Sequence, residues 1–81
     1  MAKKSGSTPS KTANDAYKEA APYLLNSEWL RETLNLGLRK AETIGALSIF
    51  LEKERQRETD IGKQTDLKIY LAYLKKLATK A

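Results

Sequence analysis

Residues 30–51 read LRETLNLGLRKAETIGALSIFL, and their apolar and small positions recur at the spacing of one helical face. Projected at ~100° per residue, the central stripe is Leu30, Leu34, Gly37, Ala41, Ile44, Gly45, Ser48 and Leu51. Leu38 and Ile49 widen it on one flank, and Trp29, Leu36 and Leu47 widen it on the other. Glu32, Asn35, Arg39, Glu42 and Lys53 mark the polar side. An apolar arc this broad exceeds the face of a helix packed on one neighbour and implies contacts on at least two sides. Asn26 and Ser27 are good cap residues, and Glu28 and Glu32 put negative charge at the positive end of the helix that follows. The pattern therefore predicts one long helix from about Ser27 to about Arg57. Glycine costs ~1 kcal/mol relative to alanine inside a helix, yet Gly37 and Gly45 both lie on the apolar arc. Together with Ala41 they are expected to permit close packing, either against the chain's other helices or across a symmetry axis.

Working outward from this helix, residues 1–11, MAKKSGSTPSK, hold no large apolar side chain beyond Met1 and cannot offset their ordering entropy. They are expected to form a disordered basic arm, leaving 12–81 as a single helical domain. A first helix is expected to begin at Thr12, which can cap the backbone with Asp15 three residues on. Ala13, Ala16, Tyr17, Ala20 and Leu24 then share one face. Pro22 disfavours helical geometry at Ala21, so this helix ends near Ala20 or kinks through Tyr23–Leu25. The charged stretch 52–64, EKERQRETDIGKQ, reads as a solvated helix end and a turn anchored by Ile61. Thr65 and Asp66 look like a cap for a last helix over 66–79. Its apolar stripe is Leu67, Tyr70, Leu71, Leu74, Leu77 and Ala78, with Lys68, Lys75 and Lys76 opposite. No segment alternates with the period of two that strands require. The expected fold is all-α: a small three-helix bundle or helical hairpin with a long central helix and a disordered N-terminal arm.

Composition narrows the chemistry further. With no cysteine, the chain has neither a disulfide framework nor a thiolate metal site. The absence of histidine removes the commonest general base and metal ligand. Ser27 and Ser48 thus have no imidazole to activate them, and Glu28, Glu32, Glu42 and Glu52 sit where pairing with a neighbouring Lys or Arg is the ordinary role. No cofactor and no enzymatic activity are expected. The longest apolar or small run, 44–51, has eight residues, where a membrane span needs ~20. With no signal-peptide core either, the chain reads as cytoplasmic.

Fifteen Lys and Arg against ten Asp and Glu give a formal charge of +5. Lys3, Lys4 and Lys11 supply three of those five charges. Two functional readings follow. In the first, the protein is a non-enzymatic interaction protein, an adaptor, assembly subunit or small inhibitor, that binds a protein partner or itself through the long helix. Its short neighbours cannot cover the whole apolar arc, and Trp29, Leu36, Leu47 and Phe50 are the candidate contact residues because buried aromatics commonly anchor interfaces. In the second, the protein binds nucleic acid, with Lys68, Lys75, Lys76 and Lys80 of the last helix and Lys3, Lys4 and Lys11 of the arm holding phosphate. Tyr70 and Tyr73 are placed to stack on unpaired bases or, in the ordinary case, to lie at the core's edge with their hydroxyls in water.

Overall fold

Thr43 decides the architecture by ending the long-helix expectation. In the computed structural model, which describes residues 9–80, the backbone turns extended at Ala41 and again at Thr43. The Thr43 hydroxyl accepts a hydrogen bond from the Ala46 amide at 3.0 Å, so Thr43 caps a new helix rather than continuing the old one. The expected 27–57 helix is thus two helices, α2 (Ser27–Lys40) and α3 (Ile44–Arg57). Arg39 and Lys40 in the last turn of α2 face its negative end, which favours termination there.

The remaining boundaries also differ from expectation. The first helix, α1 (Pro9–Ala20), starts three residues before Thr12. Proline suits a first turn because its missing N–H would have no partner there. Residues 9–11 are therefore helical rather than part of an arm, and residues 1–8 lie outside the described chain. After α1, Pro22 leads a single 3-10 turn, Ala21–Tyr23. The last helix, α4 (Ile61–Lys80), begins five residues before Asp66. Asp60 caps it, accepting from the Lys63 amide at 3.0 Å, while the Gln64 side chain donates to the Glu58 carbonyl. Ile61 does not pack beneath the turn as expected; it is 77% exposed.

Four helices with no strand among the described residues make a small all-α bundle measuring 42 × 24 × 20 Å. Its spine is α4, whose Leu67, Tyr70, Leu71 and Leu74 are all buried. Against them α1 presents Ala13, Ala16 and Ala20, each with no exposed surface, and α1 with α4 is the most extensive helix pairing. Small side chains allow that close approach. Leu30 and Leu34 of α2 and Leu47 and Leu51 of α3 complete the core.

Two polar devices lock this arrangement across long sequence separations. The buried Tyr70 hydroxyl donates to the Ala13 carbonyl at 2.8 Å, which tethers α1 to α4. Asp66, wholly buried on α4, accepts from the backbone amides of Leu25 at 3.0 Å and Asn26 at 2.6 Å. These N–H groups precede α2 and have no partner in its ladder, so the carboxylate supplies what a local cap otherwise would.

Candidate anion-binding face

With one side of α4 sunk in the core, the helix turns the other outward. Thr65, Lys68, Ala72, Lys75, Lys76 and Thr79 are exposed, a run whose spacing of three, four and seven residues lines up on one helical face. Over residues 61–80 the sequence carries five lysines and a single acid, Asp66. Its net charge is therefore +4, while the rest of the chain, N-terminal lysines included, nets +1. Asp66 is buried with both carboxylate oxygens engaged by backbone amides, so nothing acidic on α4 itself offsets the exposed lysines.

On the α3 side the nearest acid is engaged elsewhere. A groove between α3 and α4 is lined by Glu52, Arg55, Lys68, Leu71, Ala72 and Lys75. Its acid is already occupied: Arg55 donates from Nε at 2.9 Å and from Nη2 at 2.8 Å to Glu52 Oε1. The other ion pairs among the described residues, Lys11–Asp15 and Arg57–Glu54, also lie off α4. Lys68, Lys75 and Lys76 thus have no carboxylate within ion-pair distance among the described residues.

An aromatic element adjoins the stripe. Tyr73 and Tyr23 lie nearly parallel, with ring centroids 6.2 Å apart and planes 10° apart, and the Lys76 ammonium stands 5.9 Å from the Tyr73 centroid. Desolvation, the neighbouring Tyr23 hydroxyl and the Glu19 carboxylate together raise the Tyr73 hydroxyl above its ordinary pKa. Sequence reasoning named Tyr73 but missed Tyr23, which is 61% exposed. No local signal marks it, since its ring partner Tyr73 lies fifty residues later. Tyr70, the other tyrosine considered for stacking, is wholly buried.

The residues expected to carry the interaction surface are dispersed. Leu47 is wholly buried. Phe50 covers Gly37, where an added Cβ would fall 2.8 Å from the Phe50 ring and 2.9 Å from Leu47 Cδ1, and Lys40 stands over the outer ring face. Trp29 is half-buried under Lys63, whose ammonium is 5.2 Å from the indole. Only Leu36, 46% exposed, stands on open surface, because the break at residues 41–43 folds α3 back on α2 and turns Leu47 and Phe50 inward. Of the three small residues, Gly37 lies at that α2–α3 contact and Ala41 is buried at the end of α2. Gly45 is exposed, and a Cβ there would meet only Thr43 Oγ1, at 3.8 Å; no helix approaches it. Lys11 pairs with Asp15 on α1, Lys80 ends α4, and Lys3 and Lys4 lie outside the described residues.

No helix among the described residues is long and apolar enough to cross a membrane, and no group of three or more Asp or Glu there could hold a metal ion. Compared with known proteins, residues 10–79 match the model of the MJ1579 family. No curated protein and no solved structure matches the chain.

Proposed function

We propose that this chain, which belongs to the MJ1579 family, is a non-enzymatic binding protein that holds nucleic acid along the exposed face of α4. The observation that carries the reading is the stripe of Lys68, Lys75 and Lys76, exposed and without a carboxylate within ion-pair distance among the described residues. Lys68 and Lys76 are separated by ~12 Å along the axis at 1.5 Å per residue, with exposed Ala72 between them. A small residue there lets a backbone approach the helix. Such an open, extended positive stripe fits a polymer with regularly spaced phosphates better than a compact anion.

An anionic membrane surface is a poorer match. Interfacial helices insert their apolar face among lipid, whereas the apolar face of α4 forms the protein core.

Fluorescence anisotropy with a labelled oligonucleotide, titrated at several salt concentrations, tests the reading. Three lysines neutralising three phosphates predict a log–log salt slope of about −2 for a single strand, or roughly 20-fold weaker binding between 50 and 200 mM salt. The K68Q/K75Q/K76Q variant should lose most of that slope. Binding that ignores both salt and these substitutions would refute the proposal.

A second reading, association with a protein partner or another copy, draws on a different observation. Leu25 and Ile61 are 79% and 77% exposed, and Leu25 reaches the start of α4, where its Cδ1 lies 4.0 Å from the Cβ position of Gly62. Light scattering over a concentration series tests it: a mass above the 9.1 kDa monomer that falls to the monomer on Leu25→Glu supports this reading. A monomer at every concentration removes the self-association arm.

A further inference from the structure

The geometry points to a more specific ligand, resting on the reading that α4 holds phosphate: we propose that the bound nucleic acid is single-stranded, with one unpaired base stacked on Tyr23 while the adjoining backbone follows Lys76, Lys75 and Lys68. Tyr23 is 61% exposed and lies parallel to Tyr73. The Lys76 ammonium stands over the Tyr73 ring, so the aromatic pair and the lysine stripe meet at a shared residue. A strand with one base on the tyrosines has its next phosphates within reach of the stripe.

Preorganisation favours this use. Tyr23 is the third residue of a 3-10 turn whose second residue is Pro22, and the Leu24 amide closes that turn by donating to the Ala21 carbonyl at 3.1 Å. The ring is thus presented on a constrained backbone, which reduces the ordering cost of binding. Stacking on an aromatic ring requires an exposed base face. Within a duplex those faces are covered by neighbouring pairs, so the lysines can attract a duplex but Tyr23 adds nothing to its affinity. Bases of every type have such a face, and selectivity among sequences is accordingly small.

The test compares a short single-stranded oligonucleotide with a blunt duplex of the same length, binding to the full chain at fixed salt. Tyr23→Ala should weaken single-strand binding about tenfold, within the range seen when stacking aromatics are truncated, and leave duplex binding unchanged. Tyr23→Phe, which keeps the ring and loses the hydroxyl, should restore single-strand affinity. Equal affinity for both nucleic acids, or a Tyr23→Ala variant that binds single strand like the native chain, would overturn the inference while leaving the lysine reading standing. Binding unaffected by K68Q/K75Q/K76Q would overturn both. Unchanged circular dichroism of Tyr23→Ala establishes that a loss of binding is not a loss of fold.

Discussion

Asp66→Asn keeps the volume of a wholly buried side chain while changing what it offers to the backbone. In the native chain Oδ1 accepts from the Leu25 amide at 3.0 Å and Oδ2 from the Asn26 amide at 2.6 Å. A carboxamide keeps one acceptor oxygen and turns an –NH2 toward the other amide, so one N–H faces a second donor. Losing a hydrogen bond to a charged acceptor costs ~1.5–3 kcal/mol. The surviving bond falls from charged to neutral, to about half its strength. Because both bonds are only part-buried, water recovers some of this, and we expect a net loss of about 2–3 kcal/mol. With a urea dependence of ~1 kcal/mol per molar for a chain this small, the unfolding midpoint should fall by ~2–3 M. Urea titration followed by far-ultraviolet circular dichroism reads this directly. Amide hydrogen exchange at Leu25 and Asn26 should accelerate in parallel. A midpoint shift below about 0.5 M at unchanged slope, with native exchange at those two amides, would refute the claim that Asp66 holds the start of α2.

Four further substitutions test the packing and the capping. Gly37→Ala should give no stabilisation and destabilise by up to ~2 kcal/mol, since crowding of Phe50 and Leu47 costs ~1–3 kcal/mol against a helix gain of ~1; Gly45→Ala, in open space, should stabilise by about 0.5 kcal/mol, and both are read by thermal unfolding. Burial raises the Tyr70 hydroxyl above its ordinary pKa of 10.0, so its contribution to stability is complete below pH ~10 and is lost as pH climbs through the higher folded value. Tyr70→Phe should therefore be ~1 kcal/mol less stable at neutral pH, through loss of the bond to the Ala13 carbonyl, yet show a shallower alkaline decline in denaturation measured from pH 8 to 11. Thr43→Ala removes the hydroxyl that caps α3 and should cost ~1 kcal/mol in the same denaturation assay; a cost near zero would mean that the 41–43 turn is held by packing alone.

Helix content was legible because apolar positions recur at helical spacing through most of the chain. The division of the long helix was not, because Ala41 and Ile44 lie on one projected stripe whether or not the axis turns between them. Only the chemistry of residues 39–43, two basic residues followed by Glu42 and Thr43, marked a stop and a start. The start of α4 was expected at Thr65–Asp66, whereas Asp60 caps the helix; local rules could not show that Asp66 is spent elsewhere, since its partners lie 40 and 41 residues away. The lysines of α4 could be read directly, as charge on the side opposite an apolar stripe stays in water. Tyr23 could not, because its value depends on Tyr73 fifty residues later, and Pro22 beside it reads simply as a helix breaker. Leu47 and Phe50 were expected at a contact surface on one long helix; a straight helix would carry them away from Gly37, and the turn brings them onto it.

The position of α4 as the spine sets the order of events during synthesis. Translation releases α1, α2 and α3 from the ribosome before the helix that supplies Leu67, Tyr70, Leu71 and Leu74 to the core. Until then the alanine face of α1 has no large side chain of α4 to lie against, and the amides of Leu25 and Asn26 have no carboxylate. The core of this unit is consequently completed only when α4 has emerged, although α2 and α3 can already meet at Gly37.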